Sequence, residues 1–208
     1  MDAFPNGRER GGALWAIDNR RSIRKFQDTP LPMACVLEIL QCALKAPSSK
    51  NRQPWKFVVV EGRAKEEMLR AFERGLSREE ASPLLPDSNI HLPAAKHTLK
   101  ILRQAPVVIF VVNPLGKPLG ASLTAEERVY EICNTQSVAA AIENMLLAAT
   151  EMGVGSLWVC DIYFAYAELC AWLRPEGELL AAVALGYPDE APAPRPRRGI
   201  EDAVVWKS

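Results

Sequence analysis

Three short clusters in this chain hold side chains that could do chemistry. The first is Arg20-Arg21-Ser22-Ile23-Arg24. The second is Pro47-Ser48-Ser49-Lys50-Asn51-Arg52-Gln53-Pro54-Trp55, a polar run between two apolar stretches. The third is Arg195-Pro196-Arg197-Arg198, close to the end of the sequence. Guanidinium groups bind phosphate bidentately, and a serine hydroxyl can add a further hydrogen bond. Two arginine clusters far apart in sequence could converge on one anion. Isolated surface charges do little, so spacing alone leaves two readings, an anion site or a solvated face.

Other chemistries find no support. Gly153-Val154-Gly155 follows a helical pattern and lacks the third glycine of a dinucleotide fingerprint, which must follow a strand. Gly116-Lys117 has neither the upstream glycine nor the following Ser or Thr of a P-loop. The sequence holds no HExxH and no GxSxG. His91 and His97 lie off one helical face, with no convergent set of three or four ligands around them. They read as surface or internally satisfied histidines. The cysteines (Cys35, Cys42, Cys133, Cys160 and Cys170) are odd in number and none are CxxC-spaced. They read as free thiols of a reducing compartment, packed as small hydrophobes. Cys160 has no second cysteine placed to resolve it, so it too reads as packed.

The elements that must position these clusters follow from hydrophobic spacing. Helices are predicted over Ala13–Asn19, Met33–Ala46, Ala64–Arg74, Ala94–Gln104 and Phe164–Leu173. The longest runs from the capping box Thr124…Glu127 to about Met152 and stops at Gly153-Val154-Gly155. It is apolar on most sides, which places it at the centre of the fold or in a subunit interface. Strands are predicted over Trp55–Val60, Val107–Val112, Ser156–Cys160 and Leu179–Leu185. Val107–Val112 is wholly apolar and reads as a central strand buried on both faces. Residues 75–92, with Pro83, Pro86 and Pro93 nearby, carry no regular pattern and read as a lid or surface excursion. Residues 187–196 are too proline-rich for helix or central strand. Helices flanking a few separated strands give α+β, or three-layer α/β/α. Trp15, Trp172 and Trp206 read as core or interface anchors.

Composition limits the function classes. The 208 residues suit one domain, and 49% hydrophobic content excludes wholesale disorder. With 25 basic and 25 acidic side chains the net charge is zero, which argues against a general nucleic-acid binder. Ala139–Gly153 is broken by Glu143, Asn144 and Glu151, so it does not read as a membrane span. Residues 1–12 are polar, without the apolar region of an export signal, and read as a frayed tail. The expected location is cytoplasmic.

Arg20-Arg21-Ser22-Ile23-Arg24-Lys25-Phe26, followed by Ala46-Pro47-Ser48-Ser49-Lys50-Asn51-Arg52-Gln53-Pro54-Trp55-Lys56-Phe57, resembles the N-terminal signature of the nitroreductase family. Gly153–Cys160, Leu185-Gly186-Tyr187-Pro188 and Arg195-Pro196-Arg197-Arg198-Gly199-Ile200-Glu201-Asp202 fit in order, so the resemblance spans about residues 13–207. It implies one FMN-binding α+β domain over residues 13–208, with three α/β/α layers around a mostly antiparallel sheet, paired in an intertwined homodimer. Residues 75–100 would cover the substrate, and 187–208 would form a C-terminal extension. NADH or NADPH would reduce FMN, and a nitroaromatic, quinone or related acceptor would reoxidise it, in a ping-pong cycle through flavin N5. Relatives with narrower chemistry dehydrogenate peptides, dehalogenate aromatics or fragment the flavin, and a flavin-storing protein is a further alternative.

The resemblance also implies roles for individual residues. Arg20 and Ser22 match positions that hold the FMN phosphate or ribityl chain, with Arg21 beside them. Arg24 matches a basic position near the flavin pyrimidine edge. Pro47, Ser48 and Ser49, with Asn51 beside them, match the loop that reaches the ring from the partner subunit. Trp158, Val159 and Cys160 match the strand end that faces N5, although the family more often has a glycine there. Arg197, with Arg195, matches the C-terminal basic group on the phosphate. No catalytic side chain and no metal are implied.

Overall fold

The computed structural model describes residues 11–83 and 87–207. Of the expected tail only Gly11 and Gly12 are described, and Gly12 donates its N–H to Glu151 Oε1 at 3.1 Å. Four runs form one sheet: β1 (Lys56–Val60), β2 (Val107–Asn113), β3 (Gly155–Val159) and β4 (Glu178–Gly186). Their order is β1-β2-β4-β3, and every pairing is antiparallel. Strand alternation sends Val108, Phe110 and Val112 to one face and Val107, Ile109 and Val111 to the other. Both faces are covered, so the central strand β2 is buried along its whole length, as its apolar run requires.

Three helices cover the first face: α3 (Gly62–Ala81), α4 (Ser88–Gln104) and α6 (Tyr166–Leu173). The second is covered by α2 (Met33–Leu44) and the long α5 (Ala125–Glu151). A short α1 (Ala13–Asn19) rests on α5, and α7 (Ile200–Ala203) lies near the C-terminus. The result is three layers around an antiparallel sheet. α5 opens on the expected capping box: Thr124 Oγ1 accepts from the Glu127 N–H at 3.2 Å, and the Glu127 carboxylate accepts from the Thr124 N–H at 2.8 Å. It ends at Gly153, whose φ of +71° is a left-handed conformation that glycine adopts freely.

Several expectations change. Residues 75–81 and 88–93 are helical, not irregular; they extend α3 and α4. The apolar stripe Met68, Leu69, Phe72 and Leu76 continues past Arg74, and Leu92, Ala95, Leu99 and Leu102 bury against the same core. That burial outweighs the single hydrogen bond which Pro93 removes from inside α4. Pro86, the other helix-breaking signal here, lies outside the described residues. The helix from Met33 ends at Leu44, and β3 runs one residue earlier than its pattern suggested. A 3₁₀ turn, Asp161–Ala165, precedes α6. All five cysteines are free but none is fully buried: Cys160 is exposed, and Cys35 and Cys170 pack at the rims of the two cores. Trp206 is 87% exposed beyond α7, so it anchors nothing among the described residues. Trp172 packs on Phe110, with ring centroids 6.0 Å apart.

At the start of β4, Glu178 is buried and accepts a hydrogen bond from Tyr166 Oη at 2.8 Å. Burial raises its pKa above the ordinary carboxylate range, only partly opposed by that hydrogen bond. Burial likewise pushes the Tyr163 phenol up to about 12, so it stays protonated. A carboxyl whose folded pKa is raised stabilises the fold fully below its unfolded value, about 4.3. That contribution is lost as pH rises through the folded value. Glu178→Gln keeps an acceptor for Tyr166 and cannot ionise. The variant should therefore gain in Tm over the parent at pH 8 (roughly one unit above neutrality) more than at pH 4, below the unfolded pKa. Thermal unfolding at the two pH values checks this, and equal shifts would rule out ionisation of Glu178 between them.

Candidate functional site

The segment 20–26 is extended and docks along the edge of the sheet. Ser22 bridges Ser156 in parallel, and Ile23 donates its N–H to Ser156 O at 2.9 Å. The chain leaving β4 then runs beside the same segment. Gln27 donates to Tyr187 O and Asp189 donates to Lys25 O, each at 2.9 Å. The Glu190 carboxylate accepts the backbone N–H groups of both Arg24 and Lys25. This clasp brings residues 192–197 over the first arginine cluster.

Arg20, Arg21, Ser22, Arg24, Arg195 and Arg197 consequently line one cavity of about 380 Å³. Asp18 of α1 also borders it. Arg21 donates to the carbonyls of Asp18 and Arg20 at 2.8 and 2.9 Å, and Arg24 to that of Ser22 at 3.1 Å. Arg197 donates to the carbonyls of Arg195 and Pro196, both at 3.3 Å. Among the described residues no carboxylate pairs with Arg21, Arg24, Arg195 or Arg197. Arg20 has one, Glu143 of α5, at 3.8 Å. Guanidinium groups gathered at one opening and left largely unneutralised suit a ligand with about two negative charges, such as a phosphate monoester.

Pro47, Ser48, Ser49 and Asn51 do not line this cavity. They form the turn after α2, in which the non-glycine residues Lys50, Asn51 and Gln53 have φ of 53°, 53° and 49°. Left-handed backbone costs such residues about 1–2 kcal/mol each. Surrounding contacts hold the turn there. Ser48 Oγ accepts the Gln53 N–H at 3.0 Å. Ser137 of α5 accepts the Ser49 N–H at 3.2 Å and donates to Cys133 O at 2.7 Å. The Arg52 guanidinium lies 4.2 Å from the centre of the Tyr130 ring. Strain maintained in this way is characteristic of functional loops.

Trp158, Val159 and Cys160 border a second cavity, of about 310 Å³, and Arg24 lines both cavities. Across it α4 presents Ala94, His97, Thr98 and Ile101, one helical face. Thr98 Oγ1 donates to the Asp161 carboxylate. Trp158 packs its ring toward the α5 side of the sheet, where the indole N–H is buried without a partner among the described residues. Although Cys160 as a whole is exposed, its thiol is partly buried, and that burial, helped by the charge of Asp161, pushes the thiol up, which keeps it protonated and a poor nucleophile.

Sequence reasoning named every arginine of the first cavity. It missed Glu190, Ser137 and Tyr130, whose roles depend on contacts distant in sequence; its reading of His97 as a surface or internally satisfied histidine agrees with that residue's exposure. The spacing of α4 was the one available signal for His97, Thr98 and Ile101. Among the described residues no three His, Cys, Asp or Glu side chains are placed to hold a metal ion, and no helix is long and apolar enough to cross a membrane.

The family profile described as "Nitroreductase family" matches residues 17–187. A Thermus thermophilus protein named NADH dehydrogenase is 29% identical over 94% of this chain and 96% of its own length. The 5,6-dimethylbenzimidazole synthase of Rhodospirillum rubrum is 30% identical over 91% of this chain and 86% of its own. A structure from Desulfovibrio desulfuricans, assigned to the nitroreductases and solved in complex with FMN, superposes with a TM-score of 0.71 at 25% identity, covering 96% of this chain and 99% of that one.

Proposed function

The chain belongs to the nitroreductase family, and on that premise we propose that it is an FMN-dependent oxidoreductase that takes electrons from NADH or NADPH and passes them to nitroaromatic, quinone or related acceptors. The observation that carries this reading is the convergence of Arg20, Arg21, Ser22, Arg195 and Arg197 on one cavity. Their charge and donor chemistry suits the FMN phosphate, and the solved relative from Desulfovibrio desulfuricans holds FMN. When bound, FMN supplies hydride acceptance and donation at N5.

The chain's own residues bind and orient. The four arginines and Ser22 hold the phosphate end. Arg24, at the junction of the two cavities, lies at the polar edge of the ring, where a cation favours the charge gained on reduction. The strand end Trp158–Cys160 supports N5 through its backbone. The Cys160 thiol, pushed up, holds its proton at neutral pH. The strained loop does not reach its own chain's arginine cavity, so Pro47, Ser48, Ser49 and Asn51 serve the site of a partner in a homodimer. Exposed Leu14, Met33, Leu37, Val129 and Ile132 on α1, α2 and α5 supply an apolar face for that pairing. The α4 part of residues 75–100 covers the acceptor, and the enzyme works in the cytoplasm.

The test is the visible spectrum of the purified protein before and after anaerobic NADH or NADPH. A two-banded yellow spectrum that bleaches is expected. Persistent yellow would move the reading to flavin storage, and a colourless protein that takes up no added FMN would overturn it. The 30% identity with the Rhodospirillum rubrum synthase favours a second reading, formation of a dimethylbenzimidazole. Chromatography of the reduced protein after exposure to air decides between them.

A further inference from the structure

Two cations stand on the strained turn, and the proposed function gives them no role. Lys50 and Arg52 flank Asn51, and both are exposed. Their side chains converge on one ring of α5: the Lys50 ammonium lies 6.0 Å and the Arg52 guanidinium 4.2 Å from the centre of Tyr130. Tyr130 is half-buried, so the pair is held against the helix instead of moving freely in solvent. Among the described residues neither cation pairs with a carboxylate or donates a side-chain hydrogen bond. The acidic groups at this end of α5 are engaged elsewhere or stand apart. Glu127 caps the helix and faces Lys117, and Glu131 accepts the Lys117 N–H. Glu126, one turn from Tyr130, makes no ion pair with either cation. One cation suffices for a cation–π contact. A second, held beside the first on a turn whose left-handed residues already cost energy, adds only repulsion until an anion joins them.

The place of the turn says which anion. Under the proposed function Asn51 serves the flavin site of a partner. Successive Cα atoms are ~3.8 Å apart, so Lys50 and Arg52 stand at the rim of that same site. A nicotinamide donor must set its ring against the flavin, and its adenosine half then trails outward across the rim. NADH and NADPH differ in that half by one group, the 2′-phosphate, a monoester with about two negative charges. Lys50 offers it a point charge and Arg52 a planar fork of donors. We infer that Lys50 and Arg52, seated on Tyr130, take the 2′-phosphate of NADPH and set a preference for it over NADH. The inference rests on the flavin reading and its paired chains for the redox consequence; affinity for a 2′-phosphate does not.

The test is the ratio of kcat/KM for NADPH to that for NADH, measured on the FMN-saturated protein. It should be roughly tenfold to a hundredfold in the parent, the effect of charge-assisted hydrogen bonds to one phosphate. In the double variant Lys50→Gln, Arg52→Gln it should fall towards unity. The double variant Lys50→Arg, Arg52→Lys, which keeps both charges, should retain most of it. FMN content should be the same in all three, since neither side chain borders the arginine cavity. A purely structural role would lower Tm and affect both donors alike; an unchanged ratio in the Gln variant, or a parent ratio near unity, would overturn the inference. Calorimetry separates it from the flavin reading. With FMN filling the arginine cavity, adenosine 2′,5′-bisphosphate should bind roughly tenfold tighter than 5′-AMP, and the Gln variant should lose that difference. If the protein takes up no FMN, the same difference, insensitive to Arg197→Ala, upholds the phosphate site while the flavin reading falls. A difference that disappears in Arg197→Ala, or no difference at all, overturns the inference.

Discussion

Arg197→Ala should yield a protein that folds normally but purifies largely colourless. Arg197 is exposed and donates to backbone carbonyls at 3.3 Å, so its loss disturbs little of the fold. Its contribution is to the anion. A hydrogen bond to a charged group is worth about 1.5–3 kcal/mol, so the FMN dissociation constant should rise roughly tenfold to a hundredfold. Titration of the apoprotein with FMN, followed by quenching of flavin fluorescence, measures it. Arg63→Ala is the matched control: that arginine is also exposed, pairs with Glu67 at 3.5 Å and borders neither cavity. Its FMN affinity should match that of the parent. Stoichiometric FMN in Arg197→Ala at low flavin concentration would remove the phosphate assignment.

Gly75→Ala sets local against tertiary preference. In an isolated helix the change is favourable by about 1 kcal/mol. In α3 the added Cβ would lie 2.2 Å from Ala165 Cβ and 2.4 Å from Ala165 Cα. The second of these is a backbone atom, so no rotamer change relieves the clash, and α3 must move off the 161–165 turn. Overpacking of this kind costs about 1–3 kcal/mol, and the collision here is severe enough to reverse the helix gain. A Tm lower by about 4–8 °C follows for a net loss of about 2 kcal/mol. FMN content should be unchanged, because the arginine cavity shares no residue with this contact. A raised Tm would show that α3 slides past the turn without loss.

The parts of the site that could be read from sequence are those where chemistry restricts residue type. Guanidinium groups suit an anion, and the arginines of both clusters line one cavity. β1 and β2 were readable because β-branched runs have few alternatives; β3 and β4 were readable as short apolar runs bounded by glycine. Their order was not, because the pairing of β2 with β4 joins residues more than 60 positions apart. The continuity of α3 and α4 was hidden by prolines, since rules for helix ends weigh one lost hydrogen bond and cannot weigh the burial of Leu92 or Leu102. Glu190 and Ser137 were unreadable for a related reason: each satisfies a backbone N–H that only the tertiary fold brings near.

Arg24 borders both cavities, and this has a thermodynamic consequence. A ligand held against one side of that guanidinium changes the field felt on the other, so the two cavities are not independent. Linkage is reciprocal. If an anion in the second cavity weakens the preference of the first for an electron-rich occupant, then filling the first with such an occupant must loosen the anion by the same factor. One side chain shared between neighbouring cavities therefore couples the affinity of each for its occupant, and does so without any moving part.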